Sequence, residues 1–197
     1  MMRTIRTVAA ALTILVIVGC DEENPFRGTT PLVSHGSSQV WELALEGFPS
    51  GWIFPAGERF FVGTGDTPSN GTWVLDAAAE TLVFRPFTDV APGLSLTRTG
   101  ILDLTESRGV QTFEAVTTVP ESGYTDEPAE VVEGHVYAFR ITSLGGIIVP
   151  INYAKLEVTE VGREIPDDPR SRFVRFRWAY QRQPLNRDVT VGTEESP

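Results

Sequence analysis

Apolar and polar residues alternate with period two through most of the chain from residue 40 onward. No stretch carries the stripe of an amphipathic helix. "VWELALE" (40–46) sets Trp41, Leu43 and Leu45 on one face and Glu42 and Glu46 on the other. "ERFFVG" (58–63) and "GTWVLD" (71–76) are short aromatic or β-branched runs joined by the turn formers "TGDTPSNG". "ETLVFRPF" (80–87) stops at Pro86, which cannot donate to a central ladder. "TRTGILDL" (97–104) and "QTFEAVTTV" (111–119) predict a pair joined by "TESRG". The C-terminal part alternates most regularly, in "HVYAFRIT" (135–142), "YAKLEVTEV" (153–161) and "RFVRFRWAYQ" (172–181). Many short strands separated by Gly and Pro predict one all-β domain over 40–192, an antiparallel sandwich or barrel-like sheet, with a disordered tail at 193–197. A single helical turn in "LDAAAE" (75–80) would leave that class unchanged.

The first residues follow a different logic. Arg3 and Arg6 precede an apolar run, Val8 to Val18, that ends at Cys20, the only cysteine. A spanning helix needs about 20 apolar residues, so this run is short for a permanent anchor and fits a cleavable export signal. Ile17-Val18-Gly19-Cys20 resembles a bacterial lipobox, which implies removal of residues 1–19 and a diacylglyceryl thioether on Cys20. Two or more acyl chains hold a protein stably where one does so marginally. No thiol then remains for a disulfide, a cluster or a cysteine nucleophile. Residues 20–39 mix charge, Pro, Gly and Ser without periodicity and predict a flexible tether that contains His35. The expected location is the bacterial cell envelope, lipid-anchored at the cell surface or facing the periplasm.

The formal charge is −10, and losing Arg3 and Arg6 with the signal leaves −12. So acidic an exported domain lacks the dense Lys and Arg that nucleic acid demands, so no nucleic-acid partner is expected. Lys155 is the only lysine; the remaining basic residues are arginines. Seven arginines crowd between Arg163 and Arg187, a pattern that suits an anionic ligand or, with more weight, a solvated strand face, since Arg175 and Arg177 alternate with apolar residues. "ESGYTDEPAEVVE" (121–133) is acidic without calcium-loop spacing and reads as a solvated loop.

No G-x-S-x-G, H-E-x-x-H, P-loop or G-x-G-x-x-G stands in the chain, and two histidines leave little for acid–base or metal schemes. The reading is a non-enzymatic protein with no catalytic or metal residues. Trp41, Trp73 and Trp178 fall in alternating strands and predict core packing. Trp52 and Phe54 sit with Phe48 in the Gly/Pro-rich connection "GFPSGWIFPAG" (47–57), where they either cap the end of the domain or present a ligand or partner surface.

"GHVYAFRI", "NYAKLEVTEV" and "FVRFRWAYQRQPLNR" resemble the closing strands of the HmuY-like haem-binding lipoproteins, and "VWELALEG" resembles that family's first strand. The resemblance is concentrated in residues 134–187. It implies an exported β protein that captures haem, with axial ligands from paired histidines or from methionine. Both methionines lie in the signal and His35 lies in the tether, so no ligand set carries over whole; His135 is the single candidate within the domain. Tyr124, Tyr137, Tyr153 and Tyr180 are further groups that can ligate haem iron. Three readings follow: capture of haem or another hydrophobic small ligand, an interaction lipoprotein with an envelope protein partner, and a carbohydrate-binding module.

Overall fold

The computed structural model describes residues 32–146 and 149–192. The signal, Cys20, tether residues 20–31 and the tail 193–197 lie outside them. Among the described residues, ten strands form two antiparallel five-stranded sheets, with two short helices, and neither sheet closes into a barrel. The first sheet holds β1 (Val33–Trp41), β10 (Arg172–Gln181), β9 (Ile151–Arg163), β8 (Val136–Ser143) and β6 (Thr97–Asp103), side by side in that order. The second holds β3 (Glu58–Phe60), β2 (Gly51–Ile53), β4 (Trp73–Ala78), β5 (Thr81–Pro86) and β7 (Ala129–Glu130). The helices, α1 (Phe87–Val90) and α2 (Leu104–Arg108), are single turns beside β6.

An aromatic core fills the space between the sheets. Trp52, Phe54, Trp73, Phe84, Tyr137, Phe139, Phe176, Trp178 and Tyr180 are all buried there. Trp73 meets Phe84 edge-on at 4.8 Å between ring centroids, and Trp52 meets Phe176 edge-on at 5.1 Å. That geometry sets the positive ring edge against the negative ring face. Strand alternation supplies these residues: Phe176, Trp178 and Tyr180 point inward from β10, while Arg175 and Arg177 point outward.

The outward face of the first sheet is also covered. Val136, Ala138 and Tyr153 pack there against Leu104, Val116, Val119 and Val189, which come from α2, the connection after it and the C-terminal segment.

Three expectations are corrected. Residues 33–39, read as tether, form most of β1, paired with β10 from Val33↔Gln181 to Trp41↔Phe173. Glu42, assigned to the solvent face with Trp41 inside, is itself buried, and its carboxylate accepts from Arg172 Nε at 2.7 Å. The inward residue of that stretch is Val40, and Trp41 is half-buried. Residues 111–119 form no strand; Phe113, Val116 and Val119 are buried at three-residue spacing beneath turns, and β6 pairs with β8 instead.

Candidate functional site

Two concavities bring chemistry-bearing side chains together. The first lies on the outward face of the first sheet, at β1, and has a volume of about 360 Å³. His35, Ser37, Phe113, Glu114, Lys155 and Arg177 contribute to its lining. Strand register explains the grouping: His35 pairs with Ala179, Ala179 with Lys155, and Lys155 with Ala138, one row across four strands. Lys155 is 2% exposed. Its ammonium donates to Phe113 O at 2.9 Å and Val116 O at 2.7 Å, and lies 4.1 Å from the centre of the Phe113 ring. Burial pulls its pKa down to about 8, against the attraction of Glu114.

Two ammonium protons thus go to backbone carbonyls, and the Phe113 ring faces the charge. Arg177 is committed as well, donating to Glu157 and to both oxygens of Glu114, with its guanidinium 4.8 Å from the Phe113 ring. The Arg177 contact holds the Glu114 carboxyl below the usual carboxylate range. Every strong charge in this concavity is answered inside the protein. The cluster pins the 113–116 turn to the sheet, and Lys155, which the sequence marked only as the lone lysine, is its centre.

The second concavity, about 610 Å³, opens where β6 ends and β8 begins. Ile101, Leu102, Pro128, Ala129 and Val132 give it apolar walls, and Asp103, Glu106, Glu130 and His135 give it polar groups. Asp103 caps α2, accepting from Glu106 N at 3.0 Å through Oδ1. Its other oxygen, Oδ2, lies 2.7 Å from His135 Nδ1. An ionised carboxylate at that distance accepts a hydrogen bond from Nδ1–H, the tautomer in which Nε2 carries the free lone pair. A cap fixed by the helix therefore orients the histidine. Among the described residues no cluster of three or more His, Cys, Asp or Glu is placed to hold a metal ion.

The remaining candidates fall elsewhere. Phe54 (0% exposed) and Trp52 (1%), which also reaches the floor of a concavity lined by Ser37, Gln39, Gly57 and Arg175, pack in the inter-sheet core. Trp73 and Trp178 are buried there too, which removes a coplanar exposed platform for a sugar. Trp41 remains half-buried and donates to Glu164 at 2.9 Å. His35 and His135 lie on or beside strands three places apart in one sheet, which is about 14 Å by strand spacing alone, so one iron cannot take both. The Tyr137 hydroxyl donates to Glu130 O at 2.7 Å and accepts from Val132 N at 2.9 Å. Tyr124 donates to Pro120 O at 2.9 Å, while Tyr153 and Tyr180 are buried. Burial raises the Tyr124, Tyr137 and Tyr180 phenols above their ordinary pKa.

No family model, curated protein or solved structure matches this chain. The functional reading rests on its own residues.

Proposed function

We propose that the chain is a non-enzymatic binding protein of the bacterial cell envelope, lipidated at Cys20, that takes a hydrophobic small ligand, haem foremost, through His135. The observation that carries this reading is the 2.7 Å contact between His135 Nδ1 and Asp103 Oδ2 at the concavity ending β6. An imidazole held by a carboxylate, with its second nitrogen free, is the form in which histidine ligates iron. The HmuY-like pattern of residues 134–187 supports it, and a single axial ligand replaces the pair that family implies.

Haem titration of the mature chain, followed through the Soret band, tests it. The expected result is saturation at one haem per chain, loss of the shift in His135→Ala, and affinity lowered about 10–100-fold in Asp103→Asn. A wild-type response no larger than that of a non-binding control would sink the haem reading. The second reading is an interaction lipoprotein that holds no haem, and the acids favour it: Asp103, Glu106 and Glu130 share the concavity and would repel propionate groups.

The lipid anchor has its own test. Cys20→Ser is expected to move the chain out of the salt-washed membrane fraction. Full retention there would refute lipidation.

A further inference from the structure

Eight large apolar side chains are exposed among the described residues, and six of them gather at one end of the first sheet. Leu32 immediately precedes β1, and its carbonyl accepts from Arg182 N at 2.8 Å. Leu185 follows β10, its own N–H donating to Ile151 O at 2.8 Å. Leu144 and Val149 belong to the β8–β9 connection. Leu94 and Leu96 lead into β6, and Leu96 O accepts from Leu144 N at 2.8 Å. The strand register places them together, because Val33 pairs with Gln181, Gln181 with Tyr153, Tyr153 with Arg140, and Thr97 with Ser143. Four separate segments thus bring leucine or valine to one rim.

Three further observations identify what the rim meets. Leu185 is 71% exposed and has φ 64, so a bulky apolar side chain is offered to the outside from a left-handed backbone. A residue so placed bears both solvent exposure and a costly backbone conformation. Arg140 and Arg182 are exposed just behind the rim and, among the described residues, have no carboxylate within ion-pair distance. Arg98 beside them is paired with Asp126. Finally, the rim is the end at which the chain arrives from Cys20, twelve positions before Leu32 and at most about 40 Å of extended backbone.

We infer that this leucine rim, Leu32, Leu94, Leu96, Leu144, Val149 and Leu185, is a membrane-docking surface that seats the domain on the bilayer holding its lipid anchor, with Arg140 and Arg182 at the anionic headgroups. The inference rests on the lipoprotein reading. Apolar side chains enter the headgroup–acyl boundary, and arginine stems reach back to phosphate from behind them. Docking fixes an orientation. His135 and Asp103 stand at the opposite end of β8 and β6, so the candidate ligand site is held about 20 Å away from the bilayer, open to solute.

The mature chain carrying Cys20→Ser, which keeps every described strand, has no thiol and is suited to single labels. An environment-sensitive fluorophore is placed at Leu185→Cys or Leu144→Cys, and at Ile165→Cys as an exposed apolar control on the loop between β9 and β10. With phosphatidylglycerol–phosphatidylcholine vesicles, the rim labels are expected to shift to the blue and the Ile165 label to stay unchanged. Leu144→Asp should weaken vesicle binding about tenfold, the loss of one inserted leucine. Arg140→Glu with Arg182→Glu should abolish the preference over pure phosphatidylcholine. No rim shift, an equal shift at Ile165, or rim labels already shifted in a vesicle-free dimer would each overturn the inference, the last in favour of a second copy as occupant. Mass spectrometry of the N-terminal peptide reads Cys20 lipidation independently. An unmodified Cys20 with vesicle-responsive rim labels would remove the anchor and leave the rim.

Discussion

Lys155 makes a measurable claim about how stability depends on pH. Its ordinary pKa of 10.5 falls to about 8 in the folded chain, with burial as the leading cause. Below pH 8 both folded and unfolded chains hold the proton, and the cost of burying the charge is felt in full. Between about 8 and 10.5 the folded chain has released it while the unfolded chain still binds it, so stability rises with pH. The complete gain is about 3 kcal/mol for that separation. From about pH 7.5 to about pH 9.5 the rise is about 2 kcal/mol, or about 5 °C in Tm for a chain of this length. Above about pH 10 the direction reverses. The buried Tyr124, Tyr137 and Tyr180 phenols resist ionisation when folded, so the unfolded chain sheds those protons first. Urea unfolding across this range should therefore show a stability maximum between about pH 9 and 10. Lys155→Met leaves the Phe113 and Val116 carbonyls without their donor and lowers stability at every pH. It should also erase the rise below pH 10. A Met variant that gains as much as the parent over that interval would refute the assignment.

Two packing predictions accompany it. Arg172→Ala strands the buried Glu42 carboxylate and should cost about 3–5 kcal/mol in urea unfolding, whereas Arg170→Ala, at an exposed pair with Asp168, should fall below about 1 kcal/mol. Gly51→Ala would drive a methyl into the Phe60 ring, well inside van der Waals contact. It should destabilise by about 1–3 kcal/mol, with Phe60→Leu in the same chain restoring part of the loss.

The sequence made some of this structure readable and hid the rest for physical reasons. β10 emerges over the residues its alternation predicts, 172–181, and β8 and β9 enclose or overlap their predicted runs, because every second residue of each enters the inter-sheet core, even though part of the outward face is buried as well. β1 was hidden because "VSHGSSQ" has little strand propensity of its own. It sits at a sheet edge, and pairing with β10 imposes its conformation. Residues 111–119 misled in the opposite sense. Their alternation is real, but Lys155 captures the carbonyls of Phe113 and Val116, and buried residues recur every three positions. Glu42 inverted its expected face because Arg172, far off in sequence, waits for it inside. The candidate site was half legible. His135 stood out as the domain's histidine, but Asp103, which orients it, is 32 positions away and carried no local signal. Trp52 and Phe54 looked like loop aromatics only because the strand that buries them, β2, is three residues long.

The pairing of β1 with β10 also governs when the domain can exist. Arg182 Nε donates to Ser34 Oγ at 2.5 Å across 148 positions of chain, and β10 is the only strand joining β1 to the rest of its sheet. A chain threading outward with its N-terminus first therefore cannot finish that sheet until its last strand has emerged. Contacts so far apart in sequence make folding slow, on a scale of milliseconds to seconds. For a chain exported as proposed above, the same topology would delay completion of the sheet until the final strand is through.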